Sequence, residues 1–131
     1  MQPWQNFVDW TSYLSSRLHA KRNEIRRAAI VGTDGCVWAR SEGANEFRPT
    51  ESEMKSFVRH FTNLINVPAN GADLEGVHYA LTVNSGVIRG IGEEVDFFAM
   101  TNHSVIFIIF CNQSTYQDAM DTLAAFDNDF Q

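Results

Sequence analysis

The spacing of apolar residues changes several times along the chain, and each change marks an element. Trp4, Phe7, Val8, Thr11, Leu14 and Leu18 recur at steps of three and four, which predicts an amphipathic helix over residues 3–18 with Pro3 in its first turn. Beyond the basic stretch HAKRNEIRR, the segment from Ala28 to Arg40 holds two runs of strand formers, AAIVG and CVWAR, on either side of Thr33-Asp34-Gly35. That arrangement is a hairpin signal. Thr50-Glu51-Ser52-Glu53 reads as a capping box, and Met54, Phe57, Val58, Phe61, Leu64 and Ile65 follow it at helical spacing. NVPANGAD is a loop by its Pro, Asn and Gly content. GVHYALTV, GVIRGIG, VDFFAM and SVIFIIFC then read as short strands broken by Asn-Ser-Gly, Gly-Glu-Glu and Thr-Asn-His, an antiparallel meander. Ser114 and Gln117 repeat the capping-box pattern and open a last helix in which Tyr116, Ala119, Met120, Leu123, Phe126 and Phe130 recur.

Helix, hairpin, helix, meander and helix in that order predict an α+β domain, an antiparallel sheet covered by helices. The run Val105 to Phe110 has no polar alternation, so its strand should be covered on both faces, with the terminal helices together on one of them. A chain of 131 residues makes a single domain, 1–131, with a core of ordinary size. Sixteen acidic against ten basic residues, a net charge of −6, exclude a general nucleic-acid binder, which needs a basic face to displace counterions. The first residues lack a basic and then apolar leader pattern, and the longest apolar run, Val105 to Cys111, is too short to span a bilayer. The expectation is a cytoplasmic protein without a transmembrane segment. Cys36 and Cys111 both lie in apolar strand-like runs and should be buried reduced thiols.

Catalytic chemistry finds no footing. His19, His60, His78 and His103 show no metal-ligand spacing with a carboxylate or thiolate, and neither cysteine belongs to a CxxC pair. The glycines at 86, 90 and 92 fit neither a dinucleotide fingerprint nor a Walker loop, and they sit between strands, where no helix N-terminus can receive a phosphate. Cys36 has no neighbouring base, and the chain lacks a G-x-S-x-G elbow. A non-catalytic binding domain with no cofactor and no metal is the leading class. Trp38 is then either core filling or part of a binding face, where large rigid rings supply contact area with little rotamer loss.

The motifs W-x-x-F-V-D at Trp4 to Asp9, A-x-I-V-G-x-D-G-x-V-W-A-R from Ala28 to Arg40, G-V-H-Y at Gly76 to Tyr79 and G-V-I-R-G at Gly86 to Gly90 resemble those of profilins, over essentially the whole chain. The resemblance implies a central antiparallel sheet of six or seven strands, with the N- and C-terminal helices packed on one face and smaller helices on the other. It implies a monomer, cytoplasmic and associated with the cytoskeleton, that regulates actin assembly by binding actin monomers and proline-rich segments of partner proteins. Carried over, the poly-proline groove is formed by Trp4, Phe7 and Trp38, with Phe126 and Phe130 from the last helix. A polyproline II segment loses little entropy on docking and stacks its rings on aromatic faces. Phe7 stands where related sequences commonly have Tyr.

The same resemblance places an actin-binding face at Arg89, Met100, Thr101 and His103. Lysines common in relatives are replaced here by Ile91, Gly92, Thr101 and His103, which removes steering charge against an acidic partner. A phosphoinositide lipid site, a further family property, falls on the dense basic group Lys21, Arg22, Arg26 and Arg27. Two alternatives stand beside this reading: a divergent profilin fold that binds proline-rich peptides with weak or no actin binding, and an α+β sensory or trafficking module.

Overall fold

The computed structural model describes residues 12–14, 27–41, 47–62, 64, 71–93, 95–102, 105–112 and 116–129. Seven strands form one antiparallel sheet: β1 (Arg27–Gly32), β2 (Val37–Arg40), β3 (Ala72–Leu74), β4 (Val77–Asn84), β5 (Val87–Ile91), β6 (Asp96–Asn102) and β7 (Val105–Cys111). Their order across the sheet is β2-β1-β7-β6-β5-β4-β3. The expected meander is thus β4 to β7, with the β1-β2 hairpin added beside β7. Helix α1 (Glu51–Val58) runs into a 3-10 turn (Arg59–Thr62), and α2 (Tyr116–Asp129) ends the described chain. Residues 12–14 are helical; the remainder of the helix expected over 3–18, with Trp10, lies outside the described residues.

Side chains of a strand alternate between faces, and two cores result. Ala29, Val31, Leu81, Ile88, Phe97 and Phe110 point to one face, where Met54, Phe57 and Val58 of α1 close over them. Ala28, Ile30, Phe98, Phe107 and Ile109 point to the other, beneath Leu14 and beneath Ala119, Leu123 and Phe126 of α2. All seven residues of β7 are buried, as its unbroken apolar run requires. The segment at 12–14 and α2 share one face; the Tyr13 hydroxyl donates to the Asp129 carboxylate at 2.6 Å.

The capping box forms as expected. The Thr50 side chain accepts from the Glu53 amide, and Glu53 accepts from the Thr50 amide. Glu53 does more, receiving the Glu75 and Gly76 amides at 2.9 and 2.8 Å and so tying α1 to the β3-β4 turn. That turn and the one at Ser85-Gly86 are two-residue loops with both central residues at positive φ, Glu75 at 57° and Gly76 at 77°, Ser85 at 53° and Gly86 at 81°. This is the turn hand that suits the strand twist.

Three expectations are corrected. The loop ascribed to NVPANGAD gives way at Ala72 to β3, held to β4 by the Glu75-Gly76 turn. The helix opened by Thr50 stops at Val58 and tightens into the 3-10 turn instead of running to Ile65, leaving Phe61 only half-buried. Cys111 is buried but Cys36 is exposed, because it leaves the hairpin turn before β2 begins.

Candidate functional site

Trp38 owes its position to the hairpin. Gly35 enters the turn at φ +91°, its amide donates to the Gly32 carbonyl at 3.0 Å, and the Gly32 amide donates to the Cys36 carbonyl at 2.8 Å. Asp34 closes the turn by accepting the Cys36 amide at 3.0 Å, a bond that holds its carboxyl below the ordinary range; the same carboxylate, through its hydrogen bond with the Cys36 side chain and its charge, pushes that thiol up. The pairing then slips: Val31 lies opposite Val37 and Ile30 opposite Ala39. Trp38 is the extra residue of a bulge, a device that re-aims a side chain. Val37 and Ala39 pack against opposite cores, while Trp38 stands 38% exposed. Its indole leans over Gly32, where a Cβ would come within 2.8 Å of Nε1. Only glycine leaves room for the ring there.

A second arrangement lies on the α2 face farther across the sheet, at β5 and β6. Arg89 pairs with Thr82 on β4 and Phe98 on β6, and its guanidinium carbon sits 4.3 Å from the centre of the Tyr116 ring. Its Nη2 donates to Asp96 Oδ2 at 3.2 Å and also to the Tyr116 hydroxyl, which itself donates to Asp96. Asp96 is 1% exposed and accepts the Gly92 amide on its other oxygen at 3.2 Å. A buried carboxylate needs such partners. Burial alone would lower the Arg89 pKa, but the bonds to Asp96 and Tyr116 outweigh it and the net shift is upward. Burial, then the bond to Asp96, pushes the Tyr116 phenol up, so it stays a donor at neutral pH. The expected actin-face residues do not all share this face. Arg89 and Met100 do, since Met100 packs on the α2 core. Thr101 is opposite Ile106 of the α1 core and donates to the Val105 carbonyl at 3.1 Å. His103 lies outside the described residues.

The family model described as Profilin matches residues 4–126. The chain belongs to the profilin family. Profilin-2 of Caenorhabditis elegans is 44% identical over 103 residues, 77% of this chain and 78% of that protein. Profilin-1 of the same organism is 43% identical over 101 residues, 76% of each chain. Among solved structures, Acanthamoeba castellanii profilin IA superposes with a TM-score of 0.77 at 24% identity, covering 92% of this chain and 94% of its own. A LokiProfilin2 structure, solved as a complex with rabbit actin, gives a TM-score of 0.67 at 12% identity, covering 92% and 98%. These likenesses bear out the resemblance and the profilin architecture expected from it.

Within this profilin, the groove residues expected around Trp38 divide. Trp4, Phe7 and Phe130 lie outside the described residues. Phe126 is fully buried, stacked on Phe107 at 4.4 Å between ring centres and flanked by Tyr13 at 5.8 Å. It can support a surface but offers none, which corrects its expected place as a ligand-facing ring. Tyr13, half-buried against α2, was not singled out by the apolar stripe because it lies one position before Leu14. Arg27 is likewise corrected. It pairs with Glu75, and its guanidinium lies 4.4 Å over the Phe110 ring on the α1 face, where burial lowers its pKa. It is no open cation for a lipid headgroup; Lys21, Arg22 and Arg26 lie outside the described residues. Asp96 and Tyr116 were missed as site residues. The signal for Asp96 was an acidic residue opening the apolar run VDFFAM, one hairpin away from Arg89.

Proposed function

We propose that this profilin binds actin monomers through the β5-β6 face beside α2, and proline-rich segments of partner proteins through a surface containing Trp38, with no catalytic step of its own. The observation that carries the proline reading is the bulge at Trp38. A fold that needed tryptophan only as filler would bury it, whereas here the strand spends its pairing register to hold the ring at the surface over a glycine. Proline-rich segments arrive already extended, and their flat rings stack on an aromatic face. Trp4, Phe7 and Phe130 complete this surface, with Phe126 and Tyr13 beneath it. Actin binding is supported by family membership and by the actin complex of LokiProfilin2, with Arg89 and Met100 as contacts on this face and without Thr101, which lies on the other. Among the described residues no helix is long and apolar enough to cross a membrane, and a cytoplasmic, cytoskeletal setting follows from these partners. A phosphoinositide surface, on this reading, rests on Lys21, Arg22 and Arg26 without Arg27.

Two titrations test the proposal. Intrinsic tryptophan fluorescence should change on addition of a proline decamer, and the change should be absent from Trp38→Ala. Labelled actin monomers should report saturable binding of the wild-type protein. A silent proline titration removes the groove, and an absence of actin binding at low salt removes the actin reading while leaving the groove.

A further inference from the structure

Arg89 is held by a carboxylate that the outside of the molecule never meets. Asp96 is 1% exposed, at the start of β6, yet it contacts β5 through Arg89, α2 through the Tyr116 hydroxyl and the β5-β6 loop through the Gly92 amide. Both bonds from Arg89 use Nη2. Its Nε is buried without an acceptor among the described residues, and its side chain is 36% exposed. The planar group is therefore clamped on one nitrogen and on the Tyr116 ring, with the Nη1 edge left over.

We propose that Asp96 is a positioning residue for partner binding, fixing Arg89 and Tyr116 as one rigid docking element whose Nη1 edge donates to an acceptor oxygen on the actin monomer. The inference rests on the actin-binding reading above. Its physical content is preorganisation. A free arginine loses rotamer entropy when a partner immobilises it, and one already locked by Asp96 does not lose it again. Arginine suits the role because its fork can hold a carboxylate on one side while donating from another nitrogen, which a lysine ammonium does with less geometric control. The net charge of the pair is near zero, so the element acts at contact distance rather than by long-range steering.

The test is a double-mutant cycle read by actin titration, with a urea midpoint for every variant. Arg89→Ala and Asp96→Asn should each weaken actin binding by about tenfold or more. The double variant should bind no worse than Arg89→Ala alone, because Asp96 acts through Arg89. Arg89→Ala strands a buried carboxylate and should be the least stable of the set; Asp96→Asn in the same chain should recover stability without recovering binding. That folded double variant keeps the comparison usable even where Arg89→Ala alone folds poorly. Retention on a poly-proline column should be the same for wild type, Asp96→Asn and the double variant. Wild-type binding together with an unchanged Asp96→Asn affinity, or with losses that multiply in the double variant, overturns the positioning role alone. A wild type that is retained on poly-proline and binds no actin overturns the actin-binding reading and this role with it.

Discussion

Replacing Phe126 by alanine separates a supporting ring from a binding ring. Phe126 is fully buried, stacks on Phe107 at 4.4 Å and meets Tyr13 at 5.8 Å. It is thus the point where α2 is pinned both to β7 and to the segment at residues 12–14. Deleting a buried phenyl ring costs about 3 to 5 kcal/mol, the sum of lost transfer energy and the cavity left behind. Small domains have only about 5 to 15 kcal/mol in all, so the variant should lose roughly a fifth of its stability or more. With a urea m-value of about 1 to 3 kcal/mol per molar, the midpoint should fall by roughly 2 M. Phe126→Leu, which keeps much of the buried volume, provides the folded comparison: it should hold a proline decamer as the wild type does, because the ring lies beneath the surface and not on it. Urea unfolding followed by circular dichroism, with decamer affinity from tryptophan fluorescence, gives both quantities. A midpoint for Phe126→Ala within about 0.5 M of wild type, or loss of decamer binding by a fully folded Phe126→Leu, would refute this assignment.

Gly32→Ala should weaken decamer binding by about tenfold or more with a small change in urea midpoint, since the added carbon comes within 2.8 Å of the Trp38 indole nitrogen and displaces the ring from its partly exposed position at the surface. Glu53→Ala should cost about 2 kcal/mol, measured by thermal unfolding, because it removes the acceptor for the Thr50, Glu75 and Gly76 amides at once. With a thiol reagent at pH 8, Cys36 should react and Cys111 should not, as burial pushes Cys111 up to about 12. Asp34→Asn should speed Cys36 modification: removing the carboxylate that raises its pKa increases the thiolate fraction at that pH. Saturation with proline decamer should leave actin affinity unchanged within about twofold.

How much of this was legible in the residues depends on how local each cause is. The Thr50-Glu53 capping box spans four positions and reads directly, but the grip of Glu53 on the Glu75-Gly76 turn crosses 22 residues and leaves no trace in spacing. Phe126 instructs differently. Ala119, Leu123 and Phe126 lie on one helical stripe and all are buried, so the spacing that marks the helix also suits a core ring, whereas the carry-over from the family set Phe126 on a ligand-facing surface. For Trp38 the weights reverse. Composition left filler and binding face undecided, and the deciding feature, a slipped register between Ile30 and Val31, depends on pairing across a turn. Strand alternation explains the split of the expected actin face. Met100 and Thr101 are neighbours in sequence and therefore on opposite sides of the sheet, a consequence that a list of family positions hides. Asp96 was visible as an acid in an apolar run, but its partner on α2, Tyr116, comes 20 residues later and only the fold joins them.

The same topology explains why the two proposed surfaces should act independently. Trp38 stands on β2 and Arg89 on β5, four strand intervals apart in the sheet order. At about 4.8 Å per interval they lie roughly 19 Å from each other. That exceeds twice the Debye length of about 8 Å at physiological salt, so charge on one surface is screened from the other. Mechanical coupling would require an element with two arrangements that both sites bias. Between them lie β1, β7 and β6, with β7 buried along its full length and packed on both cores, and close-packed interiors of this kind do not offer a second arrangement cheaply. If both proposed surfaces are occupied at once, roughly 19 Å of sheet between them should leave each partner with the affinity it would have alone.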